Sequence, residues 1–378
     1  MSLLSEDQGM IRDMARAFAA ERLAPGAAER DRSGEPPRDL LAEMGGLGLM
    51  GMTVPEQWGG AGTDFLSYVL ALEEVAAADG AISTIMSVNN SPVCAALLQY
   101  APDGLKQTWL PPLARGEAIG AFCLTEPQAG SDASALRCRA EADGNGWRIS
   151  GTKQFITSGS IAGLALVFAV TDPQAGKRGL SCFAVPTDAA GFQVARVESK
   201  LGQRCSDTCQ IVLDGVSVTA DQMLGAPGDG YRIALANLES GRIGIAAQAV
   251  GMARAALDAA LAYAEEREAF GQAIVEHQAV AFRLADMATE VEVARQMVHH
   301  AARLKDAGQP CLKEASMAKL FASEMAERVC SAAIQVHGGY GYLSDYPVER
   351  IYRDVRVCQI YEGTSDVQRI VIGRALRG

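Results

Sequence analysis

The stretch Leu164-Ala165-Leu166-Val167-Phe168-Ala169-Val170 is a strand-like apolar run. It lies in a region where the spacing of apolar residues becomes shorter than the helical period. Similar runs occur in the same region at residues 147–150, 180–185, 192–197 and 209–218. Turn pairs separate or edge these runs, among them Asp143-Gly144, Asn145-Gly146 and Asp214-Gly215. Residues 120–218 are therefore predicted to form a small antiparallel β domain.

Apolar residues return to helical spacing on both sides of this β region. Upstream, residues 3–99 are rich in Ala, Leu, Met and Glu, and a break follows at Pro111-Pro112 and Gly116. Downstream of residues 225–228, one apolar stripe comprises Leu284, Met287, Val291, Ala294 and Val298, and another comprises Met317, Leu320, Met325 and Val329. The predicted fold class is mainly α with a central β domain, divided into an N-terminal helical domain (1–118), a middle β domain (119–224) and a C-terminal helical bundle domain (225–378).

Composition and charge exclude several classes of function. At 49% hydrophobic and 21% charged residues, the chain of 378 residues is typical of a globular protein. The formal net charge of -11 argues against nucleic acid or an anionic membrane as the main partner, because both need a basic surface. We see no uncharged apolar stretch of about 18 residues and no signal or transit peptide. We therefore expect a cytoplasmic protein without a membrane span.

The cysteines and histidines do not form a metal-binding pattern. The nine cysteines are scattered singly, mostly among apolar or small neighbours, which is typical of core residues in a reducing compartment. Cys205 and Cys209 lie close in sequence, but no second Cys or His pair accompanies them. The four histidines are too separated to suggest a metal centre. We expect no metal.

Residues 46–51, Gly-Leu-Gly-Leu-Met-Gly, match the glycine spacing of a dinucleotide-binding turn. Glu73 also lies about twenty residues further on, as that motif requires. The context contradicts the match, because the preceding residues are typical of a helix instead of a strand and Pro55 interrupts the helix that should follow. A helix end with a loop is the favoured interpretation.

A turn near the C-terminus, Ile360-Tyr361-Glu362-Gly363-Thr364, carries a single carboxylate just before a predicted helix. Ser365 and Gln368 form a capping-box pattern for that helix. A glutamate between an aromatic residue and a glycine can occupy a partly dry pocket, where its pKa rises toward that of a general base. From this motif alone, a solvated loop glutamate is the better interpretation.

Four further segments carry residues suited to ligand binding, although each also has a structural explanation. Residues 122–132 offer hydroxyls and small residues at a Pro-bounded turn, or simply a strand end. Residues 151–159 can stack on a planar ring, or form a half-buried strand. Residues 239–245 and 267–271 bring arginines that suit anionic groups, or surface salt bridges. Residues 335–342 end a helix with more glycines than a C-cap needs.

In this order and spacing, these segments resemble the acyl-CoA dehydrogenase family over essentially the whole chain. The motifs that carry the resemblance are Leu124-Thr125-Glu126-Pro127 with Gly130-Ser131-Asp132, Phe155-Ile156-Thr157, Arg267-x-x-Phe270-Gly271, Gln335-x-x-Gly338-Gly339 and Ile360-Tyr361-Glu362-Gly363-Thr364. Residues 238–246 look most like the short-chain, butyryl-CoA dehydrogenase-like branch. The resemblance implies a β-barrel-like middle domain, a C-terminal four-helix bundle and a homotetramer that binds FAD noncovalently.

The resemblance also implies roles for individual residues. Glu362 would remove the α-proton of an acyl-CoA thioester while a β-hydride passes to flavin N5, giving a trans-2-enoyl-CoA, and the electrons would then pass to electron-transferring flavoprotein. The implied FAD contacts are Phe122, Leu124, Thr125, Gly130, Ser131, Phe155, Ile156, Thr157, Arg267, Phe270, Gln278, Gln335, Val336, His337, Gly338, Gly339, Thr364, Ser365 and Asp366. Of these, Arg267, Phe270, Gln278 and residues 335–339 would reach the FAD of a neighbouring subunit. The implied substrate contacts are Ser131, Glu239, Ser240, Gly241, Arg242 and Gly363.

Some branches of the family place the base on the helix that here contains Gly241. A glycine cannot serve as a base, which favours Glu362 as the base in this chain. Two alternatives remain open: an oxygen-using flavoprotein, acyl-CoA oxidase-like, on the same fold, and a non-enzymatic protein that binds acyl-CoA or flavin. The acyl-chain length would follow from the depth of a pocket built from residues such as 87–93 and 239–243.

Overall fold

The N-terminal part of the protein is helical in the computed structural model, which describes residues 4–377 and leaves residues 1–3 and 378 outside the description. Its helices are α1 (Glu6–Phe18), α2 (Ala27–Ser33), α3 (Arg38–Gly46), α4 (Phe65–Ala78), α5 (Gly80–Val88), α6 (Ala95–Tyr100) and α7 (Asp103–Ala114). Polar side chains begin several of them. Asp64 accepts a hydrogen bond from the Ser67 N–H at the start of α4, and Asp79 accepts from Ala81 and Ile82 at the start of α5.

The middle part is an eight-stranded sheet. Its strands are β1 (Gly120–Cys123), β2 (Arg139–Asp143), β3 (Gly146–Thr157), β4 (Leu164–Val170), β5 (Leu180–Pro186), β6 (Phe192–Val197), β7 (Thr208–Thr219) and β8 (Met223–Leu224). The order is β6-β7-β3-β2-β4-β5-β8, and β1 also pairs with β4. The stretch that predicted the β domain is therefore a central strand, which explains why it is apolar on both faces.

The sheet is mostly antiparallel, as expected, but two pairings differ from that expectation. β1 runs parallel to β4 across Gly120 to Cys123, and β2 meets β4 in a short parallel contact at Arg139. Parallel neighbours need a long connection instead of a hairpin, and the chain between β1 and β4 is long enough to supply one. The turn pairs in the sequence mark only hairpins, so they could not reveal these pairings.

The C-terminal part is again helical. It comprises α8 (Gly230–Glu266), a short hairpin of β9 (Glu268–Ala269) and β10 (Gln272–Ala273), then α9 (Gln278–Asp306), α10 (Leu312–His337), α11 (Pro347–Val355) and α12 (Ser365–Ala375). α8 packs on α4, α9 and α10. This arrangement confirms the predicted fold class, whereas the domain divisions at residues 118 and 224 stay predictions.

One of the two predicted core stripes is confirmed and the other is partly wrong. All five residues of the α9 stripe are buried. On α10, Met325 and Val329 are buried but Met317 is 39% exposed. The buried face of α10 is lined instead by small residues, among them Ala315, Ala318, Ala322 and Ala326. Small side chains on this face allow α10 to approach α8 closely, and alanine is too weakly hydrophobic to mark a stripe in the sequence.

Two helical stretches, Gly80–Tyr100 and Gly230–Glu266, have the length and composition of membrane-spanning helices. The first contains no charged residue, so the prediction that the chain has no uncharged apolar stretch of about 18 residues was wrong. In their most apolar windows, 89% of the first stretch and 61% of the second are buried inside the protein. Both are therefore typical of core helices in a folded protein.

The glycines at residues 46–51 follow a helix, as the sequence context indicated. α3 ends at Gly46, and no strand precedes it within residues 4–45. Glu73 is buried in α4 and forms ion pairs with Arg254 and Arg295. All nine cysteines are buried and unpaired, which confirms that they are core residues.

Candidate active site

The turn that carries Glu362 has an unusual backbone. Glu362 has a φ of +51° and Gly363 a φ of +92°. A left-handed conformation is uncommon for a residue with a side chain and is typically kept where the surroundings enforce it. A Cβ on Gly363 would also lie 2.8 Å from the amide nitrogen of Gln368. The sequence Glu-Gly thus places a residue with a strained backbone next to the glycine that the turn requires.

Helix α12 begins differently from the predicted capping box. Thr364 is the N-cap and its hydroxyl accepts from the Val367 N–H at 3.3 Å, so Ser365 is already the first helical residue. The prediction of Ser365 as the cap was wrong by one position. The reason is that Gln368 has another role: its buried amide donates to the backbone oxygens of Glu362 (3.3 Å) and Gly363 (2.8 Å).

Two side chains from other elements also fix this turn. Lys319, on α10, donates from Nζ to the Gly363 oxygen at 2.7 Å. Tyr361 donates from its hydroxyl to Gln248 Oε1 on α8 at 3.3 Å. The turn is therefore tied to both of the long helices that pack together in the C-terminal part.

Glu362 is half-buried, and one oxygen of its carboxylate, Oε2, is shielded from solvent. This oxygen has no hydrogen-bond partner. Burial raises the pKa of Glu362 to about 8, against the opposing effects of the Lys319 and Arg242 charges. A Cβ added to Gly241 on α8 would lie only 1.7 Å from this oxygen, so the carboxylate rests directly on the α8 backbone. Glu362 can therefore act as a general base near neutral pH.

The residues next to Gly241 on α8 line the same place. Arg242 is buried, its Nε has no partner, and burial lowers the pKa of its guanidinium in spite of Glu362 and Glu239 nearby. This excludes the surface salt bridge that the sequence left open for Arg242. Ser240 is also buried, and Glu239, half-buried, accepts from the Cys311 thiol at 3.4 Å.

Sequence reasoning missed several residues of this site. Lys319 and Tyr68 reach the turn or its surroundings from α10 and α4, and no local motif marks them; Gln368 of α12 was noted only as part of a capping pattern. The Tyr68 hydroxyl donates to Ser87 Oγ at 3.3 Å, and both groups lie close to where a Cβ on Gly244 would be. Burial raises the pKa of Tyr68, with a smaller effect from Glu362. Only Ser87 belongs to a segment that the sequence assigned to the pocket.

A second group of implied ligand contacts lies where the loop after β1 meets the end of β3. The Gln154 N–H donates to the Thr125 oxygen at 2.9 Å. Lys153, fully buried, pairs with Glu126 at 2.8 Å and donates to the Leu124 oxygen at 3.2 Å. These contacts hold the loop of residues 124–130 against β3.

The end of β3 turns an aromatic ring outward. The β3–β7 register shifts between Lys153 and Ile156, and Phe155 within that irregularity has a φ of +57° and is 65% exposed. A bulge of this kind re-aims a side chain away from the sheet. Leu124 and Ile156 are buried. Thr125 and Thr157 are half-buried, Phe122 is half-buried beside the Phe168 ring, and Gly130 and Ser131 are exposed.

A third group lines a groove of about 420 Å³ at the other end of α10. It brings together five of the predicted contacts, Arg267, Val336, His337, Gly338 and Gly339. A Cβ on Gly338 or Gly339 would meet nothing within 4 Å, so the backbone there is open to a ligand. Tyr263, which stacks on His337 at 4.4 Å, and Tyr340 also line the groove and were not predicted.

Other predicted contacts near this groove point to the surface. Phe270, at the tip of the β9–β10 hairpin, is 98% exposed with a φ of +53°. Gln278 and Gln335 are exposed as well. Lys319 and His337 lie on the same helix, 18 residues apart, which separates them by about 27 Å along its axis. The groove and the Glu362 turn of one chain are therefore distinct places.

Two separate groups of residues fit two parts of a ligand, one a flat ring and the other anionic groups. The outward Phe155 and the hydroxyls of Thr125 and Thr157 suit the ring, and the open glycines with Arg267 suit the anionic groups. Of the predicted contacts on the Glu362 turn, the Ser365 hydroxyl is buried without a partner and Asp366 is exposed.

Comparison with known proteins identifies the class. Family models match in chain order: the acyl-CoA dehydrogenase N-terminal domain at residues 5–117, the middle domain at 121–216 and the C-terminal domain at 228–377. The chain belongs to the acyl-CoA dehydrogenase family, whose members are FAD-dependent flavoprotein oxidoreductases.

Individual relatives narrow the comparison to one branch. The human mitochondrial short-chain specific acyl-CoA dehydrogenase is 45% identical over 99% of this chain and 91% of that protein. The structure of butyryl-CoA dehydrogenase from Megasphaera elsdenii is 40% identical, with a TM-score of 0.98 over 100% of both chains. A chain in the structure described as the electron transferring flavoprotein of Acidaminococcus fermentans is 44% identical, with a TM-score of 0.98 over 100% of this chain and 99% of that chain.

Proposed function

We propose that this protein catalyses the FAD-dependent α,β-dehydrogenation of a short-chain acyl-CoA thioester to the trans-2-enoyl-CoA, with Glu362 as the base. The observation that carries the proposal is the buried Glu362 carboxylate, which has one oxygen without a partner, rests on Gly241 and occupies a strained turn. A non-enzymatic binding protein has no need of a carboxylate with a raised pKa at such a place.

The chain's own residues account for the proton transfer. An ordinary carboxylate is too weak a base for the α-proton of a thioester, and burial brings the pKa of Glu362 to about 8, closer to what the step requires. Substrate entry would displace remaining water and raise that pKa further. The proposed donor to the thioester oxygen is the backbone N–H of Glu362, which the turn holds in place, and this contact would stabilise the enolate-like charge.

FAD, when bound, supplies the acceptor for the β-hydride. Its ring would lie along the cluster of Thr125, Ser131, Phe155 and Thr157. The groove with Arg267 and Gly338 would serve the FAD of a neighbouring subunit, because it is too far from the Glu362 turn of its own chain. Substrate would contact Ser131, residues 239–242 and Gly363.

The proposed assembly is a homotetramer, and the proposed electron acceptor is electron-transferring flavoprotein. Large apolar side chains exposed on the C-terminal part support association, among them Phe270, Phe282, Tyr342, Ile370 and Leu376. Similarity to a chain from an electron transferring flavoprotein structure supports the acceptor. The nine buried, unpaired cysteines are compatible with the cytoplasmic location proposed.

The test is the substitution Glu362→Gln, which keeps the size and polarity of the side chain but removes the base. We expect the variant to retain its yellow flavin and to lose the bleaching of that flavin by butyryl-CoA under anaerobic conditions, by at least about 100-fold in rate. Glu141→Gln, at an exposed position on β2, is the matched control and should bleach like the unchanged protein.

Two outcomes would contradict the proposal. Unchanged bleaching by Glu362→Gln would remove Glu362 as the base. Rapid reoxidation of the reduced protein by air alone, with no acceleration by an electron-transferring flavoprotein, would favour the oxygen-using alternative. A panel of straight, branched and aryl-substituted acyl-CoA thioesters in the same assay would define the substrate.

A further inference from the structure

Lys319 is a buried cation beside the candidate base. The residue lies on α10 and is 0% exposed, and its Nζ donates to the Gly363 backbone oxygen at 2.7 Å. Among residues 4–377, no carboxylate oxygen lies within 4.0 Å of this ammonium group. Lysine is rarely fully buried without a paired charge, because desolvation of the ammonium is costly. Burial accordingly lowers the pKa of Lys319 to about 8.

Once it is ionised, Glu362 is the carboxylate that compensates the charge of Lys319 most directly. Arg242 on α8 is a second cation and opposes ionisation of Lys319, while Glu324 on α10 exerts only a weak effect. The pKa of the Cys358 thiol is raised to about 11 by burial, so this neighbour is uncharged at neutral pH. Tyr68 on α4 stays a neutral phenol because burial raises its pKa.

Resting on the function proposed above, we infer that Lys319 is a positioning residue for Glu362: its ammonium fixes the Gly363 carbonyl, and its charge stabilises the ionised Glu362 carboxylate. The two effects act on the same turn, one on its backbone and the other on its side chain. Lys319 does not touch the reacting atoms, and it acts only through Glu362.

Gln368 allows the two effects to be separated. Its amide donates to the same Gly363 backbone oxygen at 2.8 Å and also to the backbone oxygen of Glu362, but it carries no charge. Loss of Gln368 therefore loosens the turn without changing the electrostatics of the carboxylate. Loss of Lys319 loosens the turn and also changes the electrostatics of the carboxylate.

The direction of the electrostatic effect follows from the charge. An opposite charge favours the ionised form of a carboxyl group, so removal of the Lys319 charge should raise the pKa of Glu362. An effect of about one pH unit or more is expected for an opposite charge near a buried carboxyl. If Lys319 only fixed the turn through its hydrogen bond to the Gly363 oxygen, its removal would not shift the pKa of Glu362.

The experiment compares Lys319→Met, Lys319→Gln and Gln368→Met, each as the flavin-loaded protein. The first readout is independent of turnover: the carboxyl of Glu362 is titrated by difference infrared spectroscopy, with Glu362→Gln as the reference that assigns the band. The second readout is the pH dependence of flavin bleaching by butyryl-CoA. Lys319→Gln keeps a hydrogen-bond donor while it removes the charge, and it serves if Lys319→Met does not fold.

We expect both uncharged variants at Lys319 to shift the Glu362 titration, and the acid limb of the bleaching profile, upward by about one unit or more. Gln368→Met should slow bleaching without moving the titration. An unshifted titration in the Lys319 variants, or an equal shift in Gln368→Met, would overturn the inference. If unchanged protein fails to bleach at all, the proposed function fails instead, and the infrared titration still decides the role of Lys319.

Discussion

Gly241 shows how a single hydrogen atom can decide the geometry of a site. The Glu362 carboxylate occupies the space that a side chain on α8 would otherwise fill. A glycine in the middle of a helix costs about 1 kcal/mol relative to alanine. The protein accepts that loss of helix stability at Gly241, where the carboxylate lies against the backbone.

The substitution Gly241→Ala should therefore damage the site while leaving the helix intact. The new methyl group would lie 1.7 Å from Glu362 Oε2, so the carboxylate must move. We expect flavin bleaching to slow by about 10-fold or more, because small displacements of a base are costly to rate. Stopped-flow measurement of bleaching, with far-ultraviolet circular dichroism as a check on folding, gives the result.

Gly104→Ala is the matched control for this substitution. Gly104 lies in α7, and a Cβ there would meet nothing within 4 Å. Its bleaching rate should be unchanged. An unchanged rate in Gly241→Ala would mean that the position of the carboxylate is not critical.

At the scale of elements, the buried pair of Lys153 and Glu126 joins the loop after β1 to β3. Lys153 also donates to the oxygens of Leu124 and Phe168, and Glu126 accepts from the N–H groups of Arg137 and Cys138. Burial of a charged pair is tolerated when hydrogen bonds satisfy both partners in this way. The loop that carries Thr125 is thereby held against the end of β3, where the ring of Phe155 is exposed.

Removal of Lys153 from its pair with Glu126 should strongly lower the stability of the folded protein. Lys153→Met leaves the Glu126 carboxylate buried without its cation, which typically costs about 3–5 kcal/mol. We expect a clear fall in the thermal midpoint and faster loss of flavin during gel filtration. The matched control is Arg148→Met, which breaks the exposed pair with Asp143 and should cost about 0–1 kcal/mol.

The elements also show which parts of the fold the sequence could reveal. The α9 stripe and β4 were readable because bulky apolar residues mark a buried face. The sequence did not reveal the parallel pairing of β1 with β4, because this pairing depends on a distant connection. It did not reveal the buried face of α10 either, because small alanine side chains form that face. In the candidate site, Glu362 was proposed because of the family resemblance and not because of its local motif, whereas Lys319 and Tyr68 come from other helices and have no local signature.

At the scale of the whole molecule, the raised pKa of Glu362 links folding to pH. The folded protein holds the proton up to a pH of about 8, whereas an unfolded chain releases it near 4.5. Between those values the folded state binds more protons than the unfolded state. The contribution of Glu362 to stability is therefore most favourable below pH 4.5 and becomes unfavourable as the pH rises toward 8.

Glu362→Gln removes this linkage and tests it. Relative to the unchanged protein, the variant should gain stability as the pH rises from 5 to 8, on the order of 1 kcal/mol or more. Urea unfolding of both proteins at several pH values measures the difference. A difference that does not depend on pH would show that the carboxyl group has an ordinary pKa in the folded protein.

Helix α10 carries Lys319 near its beginning and His337 at its end, beside the groove with the open glycines. A helix is stiff along its axis, and its small-residue face leaves little space for sliding against α8. In the proposed assembly, one end of α10 would support the base of its own subunit and the other end would lie beside the cofactor of a neighbour. A single helix would therefore contribute residues to the sites of two subunits, so one substitution in α10 would bear on both sites at once.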